Sequence, residues 1–336
     1  MSKRILHDHN HDGIDRRGFL ECMAWAGTGA LCILSGGVLK SYALTEPNQL
    51  ASALASAGAD LSFVQISDSH IGFNKSANPD VSATLQAAID KVNALPTPPS
   101  FILHTGDITQ LSKPDEFDTA AQLLKGLKTD RIFYVPGEHD VLDGTGQLYR
   151  QRHAPQSLGD GWYSFDAHGA HFVGLVNVLN LKAGGLGSLG HDQLEWLEKD
   201  LKPLSSSTPI VVFAHIPLWS VFPEWGWGTD DSAQVLIYLK RFGSVTVLNG
   251  HIHQTMLKVE GNITFHTALS TAFPQPAPGT PGASPGPLTV PANQLRQMLG
   301  VTEVNFVRGQ HALAVTDSTL AQAATSSAQP MGMEQR

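Results

Sequence analysis

The chain has 336 residues, of which 42% are hydrophobic and only 15% are charged, and its formal net charge is −8. This composition supplies enough apolar residues for one sizeable domain or two small ones, and it excludes a chain that is disordered throughout. The acidic balance argues against a general nucleic-acid surface, which needs clustered lysines and arginines. No nucleic-acid partner is therefore expected.

The first 43 residues have the features of a targeting segment rather than of a folded domain. The pair Arg16-Arg17 precedes a weakly apolar run from Met23 to Leu39, and Ser41-Tyr42-Ala43 suits a cleavage site. This order resembles a twin-arginine export signal; the alternative is an uncleaved amphipathic helix. The resemblance implies recognition by the twin-arginine export machinery and a periplasmic or extracellular location.

Residues 44–60 are rich in alanine, serine and polar groups and predict a linker. Both cysteines, Cys22 and Cys32, lie in the targeting segment, so we expect no disulfide in the mature chain. Beyond that segment, no stretch approaches the roughly 20 apolar residues that a membrane span needs. The mature chain is therefore expected to have no transmembrane anchor.

From residue 61 onward, short apolar runs alternate with helical patterns, which predicts an α/β fold of packed layers. The predicted strands are Leu61–Ile66, Phe101–Leu103, Ile132–Val135, His171–Val176, Ile210–Phe213 and Val245–Leu248. The predicted helices between them are Val81–Asn93, Pro114–Leu127, Gly190–Leu201 and Ser232–Phe242.

The C-terminal part of this domain, which we place at residues 61–316, carries turn and loop signals. Met256–Val259 and Ile263–His266 flank Glu260-Gly261-Asn262, which predicts a hairpin. The proline- and glycine-rich stretch 274–291 predicts a loop or strap. Residues 292–316 predict a helix and a strand, and residues 317–336 predict a disordered tail.

Five of the predicted strands are followed by short segments that contain aspartate, glutamate or histidine, which are potential metal ligands. In chain order these are Asp68-Ser69-His70, Gly106-Asp107, Gly137-Glu138-His139-Asp140, His215 and Gly250-His251-Ile252-His253. Because strand ends of an α/β sheet converge on one crevice, these side chains should meet. Asp68 and His70, two apart in an extended segment, should point to one side. The glycines let the backbone turn tightly and approach closely.

Carboxylates and imidazoles without a thiolate suit zinc, manganese or iron. The ordered set resembles the calcineurin-like metallophosphoesterase superfamily, whose pattern is D-x-H, G-D, G-N-H-[DE], H and G-H-x-H. The resemblance covers about residues 61–272 and implies a β-sandwich of two mixed sheets flanked by helices. It also implies a phosphoric ester hydrolase with two metal ions, divalent or of mixed valence, of which manganese, zinc and iron are the candidates.

The resemblance assigns roles to individual residues. Asp107 bridges the two ions, and His139 faces the phosphate and protonates the leaving oxygen. A hydroxide shared by the ions then attacks the phosphorus of a small phosphodiester or phosphomonoester substrate. The other ligands are Asp68, His70 and His253 for the first ion and Glu138, His215 and His251 for the second. Asp140 is expected to orient a histidine rather than to bind metal.

Glu138 departs from the family pattern, which has an asparagine at this position. With two divalent ions, two aspartates and a hydroxide the centre carries one positive charge, and Glu138 makes it neutral. Three hypotheses follow: Glu138 favours a trivalent ion, or it favours a less charged substrate such as a diester, or it spoils the second ion's position. The last would leave a weak enzyme or a metal-binding scaffold protein.

Two further features narrow the substrate. Asp107 is not followed by the Arg-Gly of protein Ser/Thr phosphatases, and Gln110 replaces the tyrosine ligand of purple acid phosphatases. The bacterial phosphodiesterase and phosphomonoesterase branches remain. An aromatic segment after His215 either stacks on the substrate or packs on its own domain; it contains Trp219, Phe222, Trp225 and Trp227.

Overall fold

The structure, a computed structural model, describes residues 30–35, 38–43, 61–306 and 313–321. The chain divides into two compact units, residues 1–60 with 306–310 and residues 61–305 with 311–336. All residues predicted to bind metal belong to the second unit.

In the first unit, β1 (Ala30–Ser35) and β2 (Val38–Ala43) pair as an antiparallel hairpin. The arginine pair at residues 16 and 17 and the predicted linker 44–60 lie outside the described residues. The export signal and the linker therefore stay predictions. Within the described ranges, no helix combines the length and the apolar character needed to cross a membrane.

The second unit contains a five-stranded sheet in the order β13-β12-β3-β4-β5. Its strands are β3 (Leu61–Ile66), β4 (Ile102–His104), β5 (Ile132–Tyr134), β12 (Gly300–Phe306) and β13 (Ala314–Thr319). β3, β4 and β5 are parallel, whereas β12 and β13 are antiparallel to each other. The sheet is therefore mixed, and the parallel strands all end at the same edge.

A six-stranded sheet follows the order β10-β11-β9-β8-β7-β6. Its strands are β6 (Tyr163–Ala167), β7 (Ala170–Gly174), β8 (Ile210–Phe213), β9 (Val245–Asn249), β10 (Leu257–Glu260) and β11 (Ile263–Thr267). The four central strands are parallel, and β6 and β10 pair antiparallel at the two edges.

Helices cover the outer faces of the two sheets. Those described in this unit are α1 (Val81–Asn93), α2 (Pro114–Leu124), α3 (Gln147–His153), α4 (His191–Leu201), α5 (Ser232–Leu239) and α6 (Ala292–Leu295). Leu85 of α1 packs in one apolar core with β3, and Leu197 of α4 packs in another with β8. Both side chains are fully buried, so replacing either by alanine costs about 2–5 kcal/mol.

Aromatic rings fill the space between the sheets. Phe63 of β3 lies edge-on to Phe172 of β7, with ring centroids 5.5 Å apart. Phe133 of β5 stacks on Phe165 of β6 at 3.8 Å. These contacts hold the two sheets face to face and confirm the predicted sandwich of two mixed sheets flanked by helices.

The C-terminal end of the domain differs from its prediction. Residue 317 was predicted to begin a disordered tail, but Asp317 lies within β13, which runs to Thr319. Its carboxylate accepts hydrogen bonds from the Thr302 hydroxyl at 2.6 Å and from His266 Nε2 at 2.9 Å. Pairing with β12 and these two distant partners order a segment whose composition resembles a loop.

Candidate metal centre

The five predicted turns converge at the carboxyl ends of the parallel strands. Asp107, in the turn after β4, lies at the middle: its Oδ2 atom is 3.4 Å from Nε2 of His70 and 3.4 Å from Nε2 of His215. Its other oxygen accepts a hydrogen bond from the backbone N–H of His139 at 3.0 Å. Asp107 is therefore placed between two groups of ligands, as the resemblance implies for a bridging residue.

The first group, which we call the first metal position, comprises Asp68, His70 and His253. Nε2 of His253 is 3.3 Å from Asp68 Oδ1 and 3.2 Å from Nε2 of His70. All three residues are buried. One donor atom from each lies within 4.8 Å of the other two, a spacing that can hold a metal ion.

The second group, the second metal position, comprises Glu138, His215 and His251. The carboxylate of Glu138 spans the two rings: Oε1 is 3.0 Å from His251 Nδ1 and Oε2 is 3.0 Å from His215 Nε2. These three donors also lie within 4.8 Å of one another. The structure thus brings Glu138 to the place where the family pattern has an asparagine.

The backbone at the predicted ligands is strained. Asp68 and His70 have φ angles of 53° and 42°, and Asp107, His251 and His253 are left-handed as well. The expectation that Asp68 and His70 share a side because they are extended is wrong, since left-handed turns orient them instead. Strain of this kind is found where surrounding structure imposes a functional conformation.

Close backbone approach explains the glycines at two of these turns. A Cβ atom on Gly137 would lie 2.0 Å from Asp107 Oδ1, and one on Gly250 would lie 2.1 Å from Ser67 Oγ. Neither position can hold a side chain without displacing residues of the centre.

Backbone carbonyls, which sequence reasoning did not identify, orient two of the predicted ligand histidines. Nδ1 of His215 donates to the Thr105 carbonyl at 2.7 Å, and Nδ1 of His253 donates to the Phe273 carbonyl at 2.5 Å. A carbonyl can only accept, so each Nδ1 carries the proton. Nε2 of each ring is left with a free lone pair directed at the centre, the form in which imidazole binds a metal.

His139 lies at the rim of the centre, with its ring 4.9 Å from that of His70. Its Nδ1 donates to the Gln110 carbonyl at 2.7 Å, which leaves Nε2 as the atom free to face a substrate. Burial opposes charge on this ring, but the carboxylates of Asp107 and Glu138 raise the pKa of His139 above its ordinary value. The charged, proton-donating form is therefore favoured.

Asp140 has a different role from the predicted one. Its buried carboxylate accepts hydrogen bonds from the backbone N–H groups of Ile108, Thr109 and Gly137 at 2.8–3.0 Å and from the Thr109 hydroxyl. It makes no hydrogen bond to a histidine ring. Asp140 instead ties the turn that carries Asp107 to the turn that carries Glu138 and His139.

Burial and the charge of Asp107 raise the pKa of Asp140 to about 7, against the effect of its backbone donors. At the centre itself, burial opposes ionisation of Glu138, yet His251 and His215 hold its pKa well below the ordinary value. Burial likewise opposes charge on His215, and Asp107 with Glu138 nevertheless raises the pKa of that ring. The centre therefore favours a bound positive charge. Either a proton or a metal ion can supply that charge.

The donor atoms fit the metal ions that the fold implies. His215 Nε2 and Glu138 Oε2 are buried and only 3.0 Å apart, but neither makes a hydrogen bond, and both ring nitrogens of His251 also lack one. Buried polar atoms of this kind need a partner. Imidazole nitrogens and carboxylate oxygens without thiolate match zinc, manganese or iron.

Phe273 and the start of the proline- and glycine-rich strap that follows it contact the two metal positions. The ring of Phe273 lies 4.7 Å from the His70 ring and 4.8 Å from the His253 ring. Gln275 donates from Nε2 to the His251 carbonyl at 2.8 Å and accepts from the Gly286 N–H at 3.0 Å. No local signal in the sequence marks these two residues, because their partners lie far away along the chain.

The aromatic segment packs partly on its own domain. Trp219 and Trp227 are buried, and the Trp219 ring lies 5.1 Å from Phe265 of β11. Phe222 and Trp225 are half-buried and contact each other at 5.3 Å. For the two buried tryptophans, packing is the alternative that the structure supports.

Comparison with known proteins agrees with this geometry. The sequence profile of the calcineurin-like phosphoesterase family matches residues 61–255. The chain is 24% identical over 219 residues to a 3',5'-cyclic-nucleotide phosphodiesterase of Nostoc sp., covering 63% of this chain and 79% of that protein. It is 26% identical over 170 residues to a probable glycerophosphodiester phosphodiesterase of Arcobacter nitrofigilis, covering 46% of this chain and 57% of that protein.

Among solved structures, a dimetal phosphatase from Danio rerio superposes with a TM-score of 0.59 at 14% identity, covering 79% of this chain and 98% of that one. At this identity the superposition supports the fold alone. It agrees with the two mixed sheets and their flanking helices.

Proposed function

This chain belongs to the calcineurin-like phosphoesterase family and is a metal-dependent phosphoesterase, and from that premise we propose that its substrate is a small phosphodiester. The observation that carries the proposal is the convergence of seven donor residues, five of them buried, with Asp107 between two groups that each contain two imidazoles and one carboxylate.

The charge of the centre favours a diester. Two divalent ions, a bound hydroxide and the three carboxylates of Asp68, Asp107 and Glu138 have no net charge, so a phosphodiester adds only one negative charge to the centre. A monoester dianion would add two. Among the ion pairs of the described residues, none brings a lysine or arginine to these carboxylates: Arg150 pairs with Asp160, and Arg152 with Asp118.

The residues of each metal position have distinct tasks. Asp68, His70 and His253 would hold one ion and Glu138, His215 and His251 the other, while Asp107 would contact both. When bound, two such ions polarise the phosphoryl oxygens and lower the pKa of a bound water, the chemistry of two-metal hydrolases. The metals are manganese, zinc or iron in this proposal, since those ions accept mixed nitrogen and oxygen ligands.

His139 is the proton donor in this proposal. Its Nδ1 is engaged by the Gln110 carbonyl, so Nε2 carries the transferable proton when the ring is charged. Burial opposes charge on the ring, but the carboxylates of Asp107 and Glu138 raise the pKa of His139 above its ordinary value, which favours retention of that proton. Donation to the leaving oxygen is general acid catalysis, which contributes about 10²–10⁴-fold to the rate.

The test compares hydrolysis of bis-4-nitrophenyl phosphate with that of 4-nitrophenyl phosphate by the full chain, loaded separately with manganese, zinc or iron. We expect the diester to give the higher kcat/KM, and the Asp107→Asn variant to lower that value about 10⁴-fold. Faster turnover of the monoester would overturn the diester assignment. If folded, metal-loaded protein hydrolyses neither ester, the scaffold hypothesis would be favoured. No observation in the described residues supports that hypothesis.

Export by the twin-arginine machinery, with a periplasmic or extracellular location, is also part of the proposal. Arg16-Arg17, the apolar run from Met23 to Leu39 and the small residues at Ser41-Tyr42-Ala43 support it. Paired replacement of Arg16 and Arg17 by lysine should retain the protein in the cytoplasm of a bacterial host, as measured by cell fractionation. Unchanged distribution of the variant would contradict this route.

A further inference from the structure

The two metal positions have the same composition. Each offers two imidazole nitrogens and one carboxylate oxygen, and the donors of each lie within 4.8 Å of one another. Asp107 is shared, because its Oδ2 is equally distant, at 3.4 Å, from Nε2 of His70 in the first position and of His215 in the second. The match depends on one residue, since the family pattern places a neutral asparagine where this chain has Glu138.

We infer that Glu138 makes the second metal position equal to the first in donor set and charge, so that both bind the same divalent metal ion with similar affinity. The inference rests on the proposed two-metal function and specifies which residue sets the metal content. With an asparagine at position 138, the first position would keep its own carboxylate, while the second would have only neutral ligands besides the shared Asp107.

The geometry allows Glu138 to act as this donor without rearrangement. It begins the short turn Glu138–Asp140, and Asp140 fixes that turn through the Gly137 N–H at 3.0 Å. The two carboxylate oxygens already lie 3.0 Å from one ring nitrogen each of His251 and His215. The additional methylene of glutamate, relative to aspartate, lets the carboxylate reach between the two rings.

Equal charge has a consequence for the choice of metal. A carboxylate binds a cation more strongly than an amide does, because it adds a full negative charge at contact distance. Since each position has one carboxylate of its own, neither is distinguished as the site for a trivalent ion. The balance therefore favours a homodinuclear divalent centre over one of mixed valence.

The experiment titrates chelator-treated full-length protein with Mn²⁺ alone, followed by calorimetry and by elemental analysis after gel filtration. We expect the wild-type protein to bind two Mn²⁺ ions with dissociation constants that differ by no more than about tenfold. In Glu138→Gln and Glu138→Asn, we expect one constant to stay near its wild-type value and the other to rise by about 100-fold or more. Glutamine preserves side-chain length, so it separates loss of charge from loss of reach.

Three results would overturn the inference. The first is a pair of wild-type Mn²⁺ dissociation constants that already differ by more than about 100-fold. The second is equally tight binding of two Mn²⁺ ions by Glu138→Gln. The third is one trivalent ion together with one divalent ion in protein purified from cells given mixed metals. Far-ultraviolet circular dichroism of each metal-free variant establishes that it folds. Failure of the proposed function is distinguishable, because equal binding of two ions without diester hydrolysis would refute the activity and leave the inference intact.

Discussion

Two regions of this protein bury histidines beside carboxylates, and they use the ring nitrogens differently. At the candidate metal centre, His215 and His253 each donate Nδ1–H to a backbone carbonyl, and their Nε2 atoms face neighbouring carboxylates. At His171, on β7, both ring nitrogens contact carboxylates directly: Nδ1 is 2.8 Å from Asp166 and Nε2 is 2.9 Å from Asp200 of α4.

The difference decides what supplies the positive charge in each region. At the centre, one nitrogen of each ring is kept as a free lone pair, so the carboxylates are left to be matched by a cation from outside. At His171, both nitrogens can donate, and Asp166 and Asp200 together raise the pKa of the ring against the effect of burial. At His171, a proton on the ring therefore supplies the positive charge. The contact is structural, because it joins β6, β7 and α4.

Removing the shared carboxylate should have the largest effect. Asp107→Asn takes away the one group that lies between both metal positions, so we expect kcat/KM for the diester to fall about 10⁴-fold, equivalent to several kcal/mol of transition-state stabilisation. Metal content should fall below two equivalents. His171→Gln is the matched control, and its activity should stay within about twofold of wild type because it lies in the other region. Equal loss in both variants would refute the distinction between the regions.

Removing the proton donor should have the next largest effect, and one that depends on the leaving group. For His139→Ala, we expect about a 10²-fold or larger loss of kcat on a diester with an alkyl leaving group. The loss should be much smaller for a nitrophenyl diester, because nitrophenolate departs without protonation. Metal content should not change, since all seven predicted ligands remain. A loss that is equal for both substrates would assign His139 to binding rather than to proton donation.

Weakening the link between the ligand turns should cost stability. In Asp140→Asn, an amide N–H₂ would face backbone N–H groups that now donate to a carboxylate, so we expect the free energy of unfolding to fall by about 1–3 kcal/mol. Chemical denaturation of metal-free protein measures the change. Asp160→Asn, at an exposed carboxylate that pairs with Arg150, is the control and should change stability by less than about 1 kcal/mol. Equal stability of Asp140→Asn and wild type would show that Asp140 does not hold the turns together.

The smallest predicted effect is a pH-dependent contribution of His171 to the free energy of unfolding. Because the pKa of His171 is raised above its ordinary value of about 6.5, folding favours the charged ring. Its contribution is complete below the unfolded pKa and is lost as the pH rises through the folded pKa. Relative to His171→Gln, wild type should be more stable by about 1–2 kcal/mol at pH 6, with the difference shrinking toward pH 9. A difference that stays constant across that range would rule out a charged His171.

Much of this protein was predictable because its signals are local. Hydrophobic periodicity placed α1 at Val81–Asn93 and β8 at Ile210–Phe213 with the bounds that the structure has. Because parallel strands end at a common edge, the positions of Asp68, Asp107 and His215 after their strands predicted that they would meet. The same local pattern identified Glu138 as the departure from the family.

Only the tertiary structure decided how those residues are held. The carbonyls of Thr105, Phe273 and Gln110 fix the histidine tautomers, and a carbonyl has no signature in a sequence because every residue carries one. The left-handed φ angles fall on aspartates and histidines, which adopt this region more readily than most residues, but the sequence does not show which of them do so. Likewise, β13 is ordered through Asp317 by partners 15 and 51 residues away, a distance over which periodicity holds no information. Local composition determined which donors are available and where strands end, whereas long-range contacts determined their orientation, their charge and the space between them.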